Sequence, residues 1–102
     1  IVHMAMEKLI KSGVPYVLGT DGMHGHLWEE GKYLVEHGGT PRDAVRALTV
    51  DAAKLIKTDH QVGSLAAGKL ADILVVDGNP LSDVSALSKV IAVWQNGTLI
   101  TA

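Results

Sequence analysis

A chain of 102 residues, 47% of them hydrophobic and none of them Phe, can build one small core from Val, Leu, Ile and Ala. Its formal net charge of −2 and pI near 6.2 argue against a nucleic-acid footprint, which needs a basic patch. The absence of Cys removes disulfide and thiolate chemistry but says little about compartment, for which a cytoplasmic setting is the default expectation, and no apolar run is long enough to span a bilayer.

The chain opens as if in mid-helix, and it is expected to be a fragment of something longer. Val2, Met6, Leu9 and Ile10 share one helical face, with Glu7, Lys8 and Lys11 opposite and Gly13 as the stop. Val14 to Leu18 then reads as a buried strand, with Pro15 near its first residue, where no ladder donor is needed. A helix, a glycine and an uninterrupted apolar strand form the rhythm of a parallel α/β unit.

Leu27 to His37 reads as a second helix, closed by Gly38-Gly39. Thr40-Pro41-Arg42-Asp43 is a helix start, with Thr40 as N-cap, Pro41 at the first helical position and Asp43 at the positive end of the dipole. Ala44, Ala47 and Leu48 supply that helix's apolar face. Thr49 is expected to cap a short further helix carrying Ala52, Ala53, Leu55 and Ile56. Beyond about Lys57 glycines punctuate short apolar runs. Leu70–Val76 and Val90–Gln95 read as strands, and Asn96-Gly97 as a tight hairpin turn into Thr98-Leu99-Ile100.

The chemistry concentrates in Gly19-Thr20-Asp21-Gly22-Met23-His24-Gly25-His26. In parallel α/β proteins ligands bind beyond the carboxyl ends of strands, which is where Asp21 falls. Two readings are open for it: a carboxylate that holds a divalent ion or takes a proton from water, or a turn residue bonding its own backbone. His24 and His26 are either solvated loop residues, metal ligands, or side chains facing a substrate. His37, at a helix C-terminus, is expected to serve the dipole, and Trp28 and Trp94 to anchor a core or an interface.

Several stretches together resemble the carboxyl-terminal part of the metal-dependent amidohydrolase superfamily. The nearest branch holds imidazolonepropionase and the Xaa-Pro (prolidase-like) peptidases. The resembling stretches are Gly13-Val14 through Gly19-Thr20-Asp21, Thr40-Pro41-Arg42-Asp43-Ala44, Leu48 to Ala53, Val62 to Val75, Asn79-Pro80-Leu81 and Val93 to Gly97, in matching order.

The resemblance implies an α/β chain that is the C-terminal fragment of a (β/α)8 TIM barrel metal hydrolase. Residues 1–60 would supply the last strand and helices of the barrel, and residues 61–102 the C-terminal piece of its small β-sandwich domain. It implies hydrolysis of C–N amide bonds, in a dipeptide or a cyclic amide, by attack of a metal-bound hydroxide. Asp21 would be both metal ligand and proton shuttle, and His24 and His26 would line the substrate site. Asp72 would be a structural residue of the sandwich.

The cofactor implied is a divalent metal, zinc, as one ion or two. The family's His-x-His pair and bridging lysine belong to earlier barrel strands, so the isolated chain is expected to be inactive. A barrel of this kind takes about 250 residues. The expected partners are a small-molecule or dipeptide substrate, and either a second copy or the missing barrel part, with no nucleic acid and no membrane. The alternative is a non-catalytic packing or oligomerisation module, since a piece of a barrel exposes apolar edges and faces.

Overall fold

In a computed structural model of the chain, residues 2–13, 16–18 and 27–101 are described, with side chains from Glu7 onward. Among the described residues, four helices, α1 (Val2–Lys11), α2 (Leu27–Glu36), α3 (Pro41–Leu48) and α4 (Val50–Leu55), precede three strands, β1 (Ile73–Val76), β2 (Val90–Gln95) and β3 (Thr98–Thr101). A 3-10 helix, Val84–Ser88, joins β1 to β2. The sheet is antiparallel in the order β1-β2-β3.

The start of α3 is built from short-range hydrogen bonds. The Thr40 hydroxyl accepts the Asp43 N–H and the Asp43 carboxylate accepts the Thr40 N–H, each at 3.0 Å, so two otherwise orphaned donors are satisfied at once. Thr49 behaves differently from the expected cap. Its ψ of −92° lies outside the extended region an N-cap adopts, and its hydroxyl turns back to donate to the Val45 carbonyl at 2.6 Å. The backbone nonetheless carries straight into α4 through the Ala53 N–H to Thr49 carbonyl bond.

Ala44 and Ala47 are buried as their helical spacing predicts. They are small, so α2 and α3 approach closely. A Cβ added at Gly31 of α2 would stand 3.2 Å from Val84 Cγ2, 3.4 Å from Ala44 Cβ and 3.5 Å from Leu48 Cδ1. Leu34, Ala44 and Val84 form the buried centre, with Ile10, Tyr16, Leu18, Val35 and Leu87 packed around it. Leu55 and Ile56, expected on an apolar face of α4, are about two-thirds exposed (66% and 69%). The six-residue α4 buries only Ala53 and leaves Leu55, and Ile56 just after it, largely exposed.

The hairpin forms at Asn96-Gly97, both with positive φ (48° and 78°), the conformation that a two-residue turn between twisted strands demands. The first strand is shorter than the expected Leu70–Val76. The Leu70 N–H goes to the Gln61 carbonyl at 2.8 Å and the Asp72 N–H to the Leu70 carbonyl at 2.9 Å, so the chain is still turning until Ile73.

Candidate functional site

Asp21, His24 and His26 lie outside the described residues, as do Val14 and Pro15 of the expected strand. The two stems that lead into and out of the segment 19–26 are described. Tyr16–Leu18 is not paired in a sheet. It does keep the period-two alternation of an extended segment: Tyr16 and Leu18 are half-buried against the Leu34–Ala44–Val84 cluster, and Val17 between them is exposed. A strand needs a neighbour to bond, and among the described residues no segment lies alongside to offer one. The ladder is missing while the side-chain pattern is present.

The second stem is α2, which starts at Leu27. Glu29 and Glu30 in its first turn suit the positive end of the helix dipole. At the far end His37 is buried, its Nδ1 lies 2.8 Å from the Tyr33 carbonyl, and its ring lies over the Tyr33 ring with centroids 3.9 Å apart. A ring N–H given to a last-turn carbonyl is the dipole-serving contact expected there.

Tyr16 lines a cavity of about 540 Å³ with Val17, Asp51, Lys54 and Leu55. Partial burial pushes its phenol pKa up, and the negative charges of Asp43 and Asp51 push it the same way. Asp51 also faces Arg46 at 3.6 Å across the α3–α4 junction. Asp51 and Lys54 were not singled out in the sequence as site residues. Only the placement of Tyr16–Leu18 beside α4 gives them a cavity. Trp28 lines a second apolar groove, of about 290 Å³, with Leu27, Val45, Leu48, Leu74 and Leu87, as an anchoring residue should.

Asp72 stands apart from all of this. Its Oδ1 accepts the Asn96 N–H at 2.8 Å, and the adjacent Ala71 carbonyl accepts the Gly97 N–H at 3.0 Å. The carboxylate ties the β2–β3 turn to the segment before β1, which is a structural role. Among the described residues no three His, Cys, Asp or Glu side chains gather as a metal-ligand group. A closed metal site therefore does not arise from them.

Comparison with known proteins gives one consistent neighbourhood. The model of the amidohydrolase family matches residues 3–100. Ochratoxinase of Aspergillus niger is 35% identical over 101 residues, covering 93% of this chain and 21% of that protein. Imidazolonepropionase of Fusobacterium nucleatum subsp. nucleatum is 29% identical over 103 residues, covering 92% of this chain and 25% of that protein. Among solved structures, a Xaa-Pro dipeptidase with methionine bound in its active site superposes with a TM-score of 0.93 at 36% identity, covering 99% of this chain and 26% of that one. The chain thus spans about a fifth to a quarter of the length of these hydrolases.

Proposed function

The chain belongs to the amidohydrolase family, and on that premise we propose that it is the C-terminal part of a metal-dependent hydrolase of C–N amide bonds, acting on a dipeptide or a cyclic amide. The observation that carries this reading is the superposition on the Xaa-Pro dipeptidase structure over 99% of the chain, with a TM-score of 0.93. In this reading residues 1–60 complete the barrel and residues 61–102 contribute to the small sandwich domain. The change from helices (Val2–Leu55) to an antiparallel sheet (Ile73–Thr101) supports that division.

A divalent ion, zinc in our proposal, supplies Lewis acidity when bound: it polarises the scissile carbonyl and acidifies water. Asp21 is the residue of this chain that would hold it. Its carboxylate, at the end of the Tyr16–Leu18 stem, would also take a proton from the attacking water and deliver it to the leaving nitrogen. The C–N bond then breaks without expelling an amide anion. His24 and His26 would line the substrate entrance, where neutral imidazoles can accept or donate a hydrogen bond to a substrate carboxylate or amide. The remaining ligands come from the barrel strands that precede this chain in the family, so the 102 residues alone would not turn over.

No described helix is long and apolar enough to cross a membrane, and we place the enzyme in the cytoplasm. Its partner besides substrate is the rest of the barrel; the exposed Val90, Ile91, Leu99 and Ile100 of the sheet favour such an association. The same exposure supports the alternative of a non-catalytic oligomerisation module. The test is an assay of the full-length protein, loaded with zinc, against methionyl-proline and a cyclic imidazolone amide. Cleavage of the C–N bond, as release of proline from the dipeptide or ring opening of the cyclic amide, is expected from the full-length enzyme and not from the 102-residue chain. Turnover by the isolated chain, or none by the full-length enzyme on any amide, overturns the reading.

A further inference from the structure

The proposed division between residues 60 and 61 falls where the backbone has little slack. From the end of α4 the chain is tied turn by turn. The Thr58 N–H donates to the Ala53 carbonyl at 2.9 Å, the Val62 N–H to the Thr58 carbonyl at 3.0 Å and the Leu70 N–H to the Gln61 carbonyl at 2.8 Å. Independent domains are joined by exposed linkers that few contacts cross. Here two close contacts cross. At the first, Val84 of the 3-10 helix is 5% exposed and sits where Gly31 of α2 has no side chain: a Cβ there would meet Val84 Cγ2 at 3.2 Å. Asp83 fixes the start of that short helix, its Oδ1 accepting the Ser85 N–H at 3.0 Å and the Ser85 hydroxyl at 2.7 Å. At the second, Gly63 lies so near α4 that a Cβ would meet Ala53 Cβ at 2.6 Å and the Thr49 carbonyl oxygen at 3.3 Å.

We infer that these two contacts form a clasp that makes residues 27–55 and 61–101 one cooperative unit, so that the helices and the sheet segment open together. The buried centre is itself shared: Leu34 and Ala44 come from the helices and Val84 from the C-terminal segment. The sheet has little else to stand on. Its three strands bury only Ala92, and a small sheet needs an apolar face or a helix packed on it to be stable. Packing this close cannot loosen by degrees, because separating the surfaces loses contact on both at once. The C-terminal segment is therefore not a detachable appendage: loosening it loosens α2 and α3. The inference concerns how this chain opens and does not rest on the hydrolase reading.

The test perturbs each part mildly, away from the clasp, and reads the other. Thr40→Ala removes the α3 cap. Gly97→Ala strains the hairpin through its positive φ of 78° alone, since a Cβ there meets nothing within 4 Å. Amide hydrogen exchange of the 102-residue chain is followed at the slowest amides of two windows, residues 27–48 and 84–95. Each substitution is expected to speed exchange about fivefold in both windows, its own and the distant one. Repeating the pair in a Gly31→Ala background, which crowds Val84 without removing a buried atom, is expected to cut each transmitted effect by at least half; Val84→Ala serves as a second variant at the same contact. Effects confined to the window that carries the substitution overturn the proposal. So do transmitted effects undiminished in Gly31→Ala and Val84→Ala, and so does a wild-type chain with no slow amides in either window.

Discussion

Asp72 and Tyr16 show how single groups are fixed by what they touch. Asp72 is exposed, yet its carboxylate receives the Asn96 N–H across 24 residues of chain. Asp72→Ala leaves that turn without its tie and is expected to lower stability by about 1 kcal/mol, as a lower midpoint in urea unfolding. Asp72→Asn keeps an acceptor oxygen and should recover most of the loss. Tyr16 makes a pH prediction. Its phenol is held above the ordinary value near 10 by burial, then by Asp43 and Asp51. As pH rises, the unfolded phenol ionises first, so the folded form binds more protons and stability falls. The loss begins near pH 10 and is complete only above the raised folded value. Urea midpoints measured from pH 8 to 11 should fall more for wild type than for Tyr16→Phe; equal slopes would refute the assignment.

At the scale of elements, the capping box and the α4 contact are the sensitive points. Thr40→Ala removes the acceptor for the Asp43 N–H and should cost about 1 kcal/mol, read as a lower thermal midpoint. Gly63→Ala should cost more, about 2 kcal/mol, because strained positive φ and contact with Ala53 Cβ add. Much of this level was legible in the sequence. Thr40-Pro41-Arg42-Asp43 and Asn96-Gly97 carry their instructions within two to four residues, and α3, β2 and the hairpin fall where those signals put them. What was not legible depends on distant partners. Thr49 looks like a cap but its backbone takes the helix-to-helix path, and its hydroxyl follows. Val14–Leu18 reads as a strand because its composition assumes neighbours, and the described Tyr16–Leu18 has none to bond. The 3-10 helix has no periodicity to announce it, and Val84 gains its place only through the closeness of Gly31 and Ala44. Asp21, His24 and His26 are proposed from their place in the sequence and lie outside the described residues, while the cavity formed by Tyr16, Asp51 and Lys54 needed the fold.

The whole molecule exposes more surface than its mass warrants. Its accessible area is 7054 Å², against about 5,500 Å² for a self-contained monomer of this mass. The radius of gyration is 14.2 Å, where about 13 Å is usual for this length. Much of the excess is apolar, at Leu55, Ile56, Leu74 and Ile100 among others. In the reading proposed above, that surface would be covered by the rest of the barrel and sandwich; the chain spans 26% of the Xaa-Pro dipeptidase it superposes on. The catalytic proposal is tested most directly by kcat for methionyl-proline in the zinc-loaded full-length enzyme carrying Asp21→Asn, with Asp72→Asn beside it. A fall of about a thousandfold is predicted for Asp21→Asn, as befits loss of a ligand and proton carrier, with Asp72→Asn at the wild-type rate. Turnover by Asp21→Asn within tenfold of wild type would contradict the account.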